Sequence, residues 1–185
     1  MFKLRPAIFG VLAIACLLCA PLNAATLNGA TMSAVYLYPD SSTTYPNATP
    51  TGPFVVGAGV EGVISVENVT NIGLDFSGSQ LLVNLATVLA NPVWNDVGFN
   101  GFKVSLLSLG LTITDFALVR STFGTITTSF TATDLFVSWS GAAYHDGDKA
   151  VFSIGVSAVP LPAGLPLLLA GLGGLALVAR RKSRA

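Results

Sequence analysis

Cysteine, histidine and basic residues are scarce in this chain, and each scarcity excludes a class of chemistry. The two cysteines, Cys16 and Cys19, both lie in the N-terminal apolar stretch, and the single histidine is His145. Residues 25–158 therefore contain no thiol, which excludes disulfides and thiol catalysis there. One histidine without cysteine falls short of the three or four ligands of a zinc site. We expect no metal and no cofactor.

Positive charge is also missing from the middle of the chain. The formal net charge is zero, but all nine acidic residues lie within residues 25–158, with only Lys103, Arg120 and Lys149 among them. Nine acidic and three basic side chains leave this region with a net charge of about −6. Because an acidic surface repels phosphate backbones, we expect no nucleic-acid partner.

The N-terminal residues have the pattern of a secretory signal peptide. Lys3 and Arg5 precede an apolar stretch over residues 7–20, and small residues follow as far as Ala24. This order of basic, apolar and small residues predicts cleavage between Ala24 and Ala25 and export of the remainder.

Two other interpretations of the N-terminal stretch remain open. A first transmembrane helix would use the same apolar run, although the run is short and ends at Pro21. A lipoprotein signal would place a diacyl anchor on Cys16, because residues 13–16 loosely match its box without the usual leucine.

The C-terminal residues form three consecutive parts: a short motif, an apolar run over residues 164–179, and a basic end. No charged side chain lies in the 19 residues 161–179, which as a helix would rise roughly 28 Å, close to the thickness of a bilayer core. We predict one transmembrane helix with the basic cluster on the cytoplasmic side. A buried core helix with a basic tail is the alternative. The motif is Val159, Pro160, Leu161, Pro162 and Ala163, and the basic cluster is Arg180, Arg181, Lys182 and Arg184.

This order of motif, apolar run and basic end resembles the C-terminal sorting signals of the PEP-CTERM class, in its VPLPA variety. The resemblance covers about 25 of the 185 residues. It implies a Gram-negative export route in which the tail holds the protein transiently in the inner membrane. A membrane-embedded protease of the exosortase type then removes the tail, and its substrates are typically surface or matrix proteins of bacteria that make exopolysaccharide.

Residues 25–158 have the composition and periodicity of strands. They are rich in Thr, Ser, Val, Gly and Phe, and apolar residues alternate with polar ones over short segments. Nine or ten short strands predict an all-β domain, an antiparallel β-sandwich. We expect a hairpin turn at residues 77–79, a second hairpin turn at residues 145–148 and a long exposed loop over residues 39–53. Residues 91–101 are predicted to form a loop whose aromatic side chains contact the core.

This pattern is also similar to a β-rich ectodomain that often precedes such sorting tails, through residues 57–61, 99–102 and 135–141. No defined activity is attached to that resemblance. The chain is therefore divided into a signal peptide at residues 1–24, an exported domain at residues 25–158 and a sorting signal at residues 159–185.

Catalytic motifs are few. A hydrolase triad would have to use His145, with Asp146 or Asp148 to orient it, but no Gly-x-Ser-x-Gly motif presents a serine. Asp146 and Asp148 also begin a calcium-loop pattern, whose later ligands are absent. Glu61 and Glu67 are too far apart along a strand, about 20 Å, to form a glycosidase pair.

Carbohydrate binding is the function that the aromatic residues permit, because sugar rings stack on exposed aromatic side chains. The candidates for this role are Tyr36, Tyr38, Tyr45, Trp94 and Tyr144, of which Tyr45, Trp94 and Tyr144 are preferred. The sequence thus predicts an exported, non-catalytic surface or matrix protein associated with exopolysaccharide. A module that binds matrix polysaccharide is the alternative, and a membrane-anchored hydrolase using His145 is the third hypothesis.

Overall fold

Eleven β-strands form the part of the chain that the computed structural model describes, which is residues 25–159 and residues 172–173. No helix occurs among residues 25–159. The strands are β1 (Thr31–Leu37), β2 (Ala48–Thr49), β3 (Thr51–Val55), β4 (Val60–Val66), β5 (Thr70–Ser77), β6 (Gln80–Thr87), β7 (Gly101–Leu106), β8 (Leu111–Ser121), β9 (Thr127–Phe130), β10 (Asp134–Ser138) and β11 (Lys149–Ala158).

The strands make two sheets in which all paired neighbours are antiparallel. One sheet has five strands in the order β3-β1-β7-β10-β9, and the other has six in the order β2-β4-β5-β6-β11-β8. The predicted all-β, antiparallel fold is confirmed. The number of strands exceeds the nine or ten predicted from the sequence.

A single hydrophobic core lies between the sheets. Alternate side chains of the central strands point inward, so that Ile72, Leu74 and Phe76 of β5 are fully buried together with Phe102 and Val104 of β7. Burying one such side chain contributes roughly 1.5–3 kcal/mol, which makes the shared core the main stabilising feature. Two antiparallel sheets around one core are the arrangement that the alternation of the sequence favours.

Two local predictions are confirmed. Residues 77–79 lie in the turn of the β5–β6 hairpin, where Ser77 pairs with Gln80. The loop before β7 brings its aromatic side chains onto the core, since Trp94 is 7% exposed and Phe99 is 9% exposed.

Two other local predictions are wrong. The predicted loop over residues 39–53 contains β2 and the beginning of β3, which pair with β4 and β1. Strand β3 includes Pro53, which has no N–H, and such a strand is tolerated because it lies at a sheet edge. The turn at residues 145–148 exists, but it joins no hairpin, because β10 and β11 belong to different sheets.

Several predicted features lie outside the described residues. These are the signal peptide through Ala24, the motif residues after Val159, the transmembrane segment apart from residues 172–173, and the basic cluster. Within residues 25–159 and 172–173, no helix has the length and apolar character needed to cross a bilayer.

The loops at one end of the two sheets carry five of the six tyrosine and tryptophan side chains. Because alternate strands run in opposite directions, residues 38–47, 67–69, 88–100 and 139–148 all leave the sheets at this end, called here the loop end. Strand β11 runs away from it, and Val159 lies at the opposite end, where its N–H donates to Gly110 O at 2.9 Å.

Gly101 provides a test of the register at the loop end. A Cβ atom there would lie 1.9 Å from Val137 O, whereas a Cβ atom on Gly57 would come no closer than 4.0 Å to another atom. We expect Gly101→Ala to lower the free energy of unfolding by about 3 kcal/mol or more, because the backbone of β10 at Val137 would have to move. Gly57→Ala should change it by less than about 0.5 kcal/mol. Urea unfolding measures both, and equal effects would contradict the pairing of β7 with β10.

Candidate functional site

All four tyrosines and both tryptophans of the chain meet in one cluster at the loop end. Its centre is Tyr36, whose ring centroid is 5.7 Å from that of Trp94 and 6.4 Å from that of Trp139. The rings of Trp94 and Tyr144 stack at 4.5 Å with an angle of 12°. Aromatic pairs in this range stabilise by about 0.5–1.5 kcal/mol beyond their buried area. The cluster therefore contributes to the stability of the loop end.

Backbone pairing brings the loop residues into this cluster. Trp94 N–H donates to Ala142 O at 2.9 Å, and Tyr144 N–H donates to Pro92 O at 3.1 Å. Two loops that are distant in sequence are thus held side by side, and their aromatic rings stack as a consequence.

A buried chain of hydrogen bonds runs through the cluster. The indole N–H of Trp139 donates to the Tyr36 hydroxyl at 3.0 Å, and that hydroxyl donates to Asn100 Oδ1 at 2.7 Å. The Asn100 side-chain amide then donates to Asn95 O at 3.0 Å. Burial raises the pKa of Tyr36 well above its ordinary value, so the hydroxyl stays protonated as the chain requires.

A second group of hydroxyls fixes Tyr144. Its hydroxyl lies 2.8 Å from Thr70 Oγ1, which is 2.9 Å from Thr87 Oγ1. Thr87 in turn donates to Val69 O at 3.1 Å. Trp94, which stacks on Tyr144, has no such partner: its buried Nε1 makes no hydrogen bond to any of the described residues.

A cavity of about 180 Å³ opens beside the cluster and is called here the aromatic pocket. All five aromatic residues proposed from the sequence line it. Tyr36, Trp94 and Tyr144 are only 2%, 7% and 3% exposed, so they form its floor. Trp94 and Tyr144 use their faces on each other and do not present them to solvent. Tyr38 and Tyr45 are half-buried and keep accessible ring surface.

Glu67 is a pocket residue that the sequence analysis placed on a strand. It lies in the turn between β4 and β5, where Val69 N–H donates to Val66 O at 3.1 Å. Glu67 and Asn68 have φ values of 52° and 57°, which are uncommon for residues other than glycine. The Tyr45 hydroxyl donates to the Glu67 carboxylate, and this hydrogen bond raises the pKa of Tyr45. No local sequence signal indicates this pairing, because 22 residues separate the partners.

Asp40 shapes the loop that carries Tyr38 and Tyr45. Its carboxylate accepts from the hydroxyl and N–H of Ser42, at 2.7 and 2.8 Å, and from the N–H of Thr43 at 2.8 Å. These hydrogen bonds, those of Ser42 first, lower the pKa of Asp40 to about 2. The loop is closed further by Tyr38 N–H, which donates to Thr43 O at 3.0 Å.

The acidic residues next to His145 accept hydrogen bonds from backbone N–H groups. The side chain of His145 itself makes no catalytic arrangement with a serine among the described residues. The imidazole of His145 is exposed, and its Nδ1 lies 3.6 Å from Asp148 Oδ2. Asp148 also accepts a hydrogen bond from the Thr122 hydroxyl at 2.6 Å. Asp146 accepts from Thr87 N–H at 3.0 Å. No serine hydroxyl is bonded to the imidazole among the described residues.

Glu61 lies at the other end of β4 from Glu67. Its two carboxylate oxygens accept from Gly57 N–H at 2.9 Å and Phe76 N–H at 2.7 Å. Within residues 25–159 no group of three His, Cys, Asp or Glu residues is arranged to hold a metal ion. The aromatic pocket is therefore the site at which the described residues bring several candidate functional groups together.

Comparisons with protein-family models, with curated proteins and with solved structures find no match to this chain.

Tyr36 provides a test of the buried hydrogen-bond chain. Tyr36→Phe removes the acceptor of the Trp139 indole N–H and the donor to Asn100. We expect the free energy of unfolding to fall by about 2–4 kcal/mol, since each orphaned buried group costs about 1–3 kcal/mol. Tyr38→Phe is the control, with an expected loss below about 1 kcal/mol, because its partner Asn95 is exposed. Equal losses in denaturant unfolding would contradict the central role of Tyr36.

Asp40 provides a test at low pH. Its pKa of about 2 in the folded chain lies below the value of about 3.9 for an unfolded chain. The stability that it contributes is therefore fully present above pH about 4 and is lost as the pH falls toward about 2. In a carboxyl NMR titration, Ser42→Ala should raise the Asp40 pKa, while Ser41→Ala should not. A wild-type pKa near 4 would contradict this account of the loop.

Proposed function

We propose that this chain is an exported, non-catalytic protein of the cell surface or extracellular matrix, delivered by an exosortase-type sorting route. The observation that carries the proposal is the C-terminal order of motif, apolar run and basic cluster. The fold is compatible with it, because β11 ends at Ala158 and the motif begins at the next residue. The sorting protease, the inner membrane as a transient anchor and exopolysaccharide are the partners.

Tail removal within the motif would leave the folded domain complete. Val159 is 50% exposed, and its backbone still pairs with Gly110. Cleavage after Val159 would leave all eleven described strands intact. The domain would be presented with its loop end directed away from the point of attachment.

A non-catalytic role is supported by the way the carboxylates are used. Glu61, Asp146 and Asp148 accept hydrogen bonds from backbone N–H groups, which gives them structural roles. The hydrolase hypothesis rests on His145 alone. If His145→Ala abolished a hydrolytic activity of the purified protein, the non-catalytic assignment would be overturned.

A carbohydrate-binding module is the second candidate function, and the aromatic pocket favours it. The pocket combines accessible aromatic surface on Tyr38 and Tyr45 with hydrogen-bonding groups on Glu67 and Asn95. Ligand-binding sites combine aromatic surface with a small number of polar groups in this way.

The intact mass of the mature protein tests the sorting proposal. We expect a species that begins near Ala25 and ends between Val159 and Ala163 in the extracellular or surface fraction of the native host. Mass beyond this polypeptide would identify what it is joined to. A full-length C-terminus confined to the membrane fraction would contradict tail removal and would indicate a simple single-span anchor.

A further inference from the structure

We propose that the aromatic pocket binds one ring of a polysaccharide whose sugars carry no acid group, with Tyr45 as the stacking surface and Glu67 as the acceptor of sugar hydroxyls. The inference rests on the second candidate function and specifies its site and its ligand.

The size of the pocket indicates a single ring. Its volume of about 180 Å³ is below the roughly 300–1,000 Å³ of sites for drug-sized ligands. One side is open to solvent, where Leu89 and Val93 form an exposed rim, 43% and 60% accessible. A polymer that places one ring in the pocket can continue across this exposed rim.

The aromatic walls fit the apolar face of a sugar ring. Tyr38 and Tyr45 meet edge to face, with centroids 5.3 Å apart and an angle of 65°. Both residues are half-buried, and both line the pocket. The C–H groups on one face of a pyranose ring pack on such a surface in the same way as other apolar groups.

The polar groups fit the hydroxyls of the same ring. The Glu67 carboxylate accepts hydrogen bonds only, and the side-chain amide of Asn95 both donates and accepts. Asn95 donates to the Tyr38 hydroxyl at a long 3.3 Å, and both Asn95 and Glu67 are exposed. A sugar hydroxyl can replace these contacts without leaving a buried group unpaired, so the exchange costs little.

The charge of the pocket disfavours acidic sugars. Glu67 is the one charged residue among those that line it, and no lysine or arginine is present to compensate it. A uronate, sulfate or phosphate group would meet this carboxylate within a domain of net charge about −6. Ligands rich in hydroxyl donors and free of acid groups are favoured over polyuronates.

The site is held in position before any ligand binds. Tyr45 N–H donates to Tyr36 O at 2.9 Å, and Glu67 is fixed by its turn in a conformation with positive φ. A residue other than glycine with a positive φ value costs of order 1 kcal/mol of folding free energy. Residues in such backbone conformations occur often at binding sites. Because these groups are already ordered, binding loses little conformational entropy.

The experiment measures binding of the full chain to soluble polysaccharides by calorimetry, using a neutral β-glucan, a galactomannan and polygalacturonate as probes. We expect at least one neutral polymer to bind and polygalacturonate not to bind. Tyr45→Leu and Glu67→Ala should each weaken Kd by about tenfold or more. Glu67→Gln retains the size and the turn position, so a loss with this variant identifies the charge rather than the fold as the cause.

Phe130→Ala is the matched control, because Phe130 is an aromatic residue 41% exposed at the other end of β9 from the loop end. It should leave Kd unchanged. If the wild type bound none of the neutral polymers, this inference and the hypothesis of a carbohydrate-binding module would both be overturned. The sorting proposal would not be affected by that result. Binding that is insensitive to the Tyr45 and Glu67 variants would overturn the site alone. Equal affinity for polygalacturonate would overturn the assigned ligand class.

Discussion

The hydroxyl of Tyr36 is the buried polar group on which the loop end of this protein depends. A hydroxyl in an apolar core is costly unless both its donor and acceptor capacities are used. Here it accepts from Trp139 and donates to Asn100, and these partners lie 103 and 64 residues away in sequence. Satisfying one hydroxyl therefore holds together β1, the loop before β7 and the segment after β10.

The pocket is built on this constraint. The backbone of Tyr36 also accepts from Tyr45 N–H, which places an accessible ring beside the buried ones. Behind it, Trp94 stacks on Tyr144 and closes the floor. The buried polar groups of the floor, among them Asn100 and Thr70, are already hydrogen-bonded within the protein, whereas Glu67 and Asn95 are exposed at the mouth. Aromatic surface beside exposed polar groups is suited to a ligand that has one apolar face and many hydroxyls. The same core that stabilises the domain thus shapes the site proposed for binding.

The fold was more predictable than the site. Alternation of apolar and polar residues, as at Ile72, Leu74 and Phe76 of β5, is a local property of the chain, and it correctly predicted the all-β, antiparallel fold. Strand β3 was missed because Pro53 is a loop signal unless the strand lies at a sheet edge, which local sequence does not reveal. The turn at residues 145–148 was found, but which sheet each flanking strand joins depends on long-range pairing.

By itself, the sequence determined the strand-rich character of residues 25–158, their acidic charge and the terminal patterns that predict export and sorting. These are local properties of composition and spacing. Only the tertiary structure decided that Trp94 and Tyr144 are buried against each other while Tyr45 keeps an accessible face. It also decided that Glu67 meets Tyr45. The physical reason is that pairing between distant strands and loops sets these contacts, and no short stretch of sequence contains both partners.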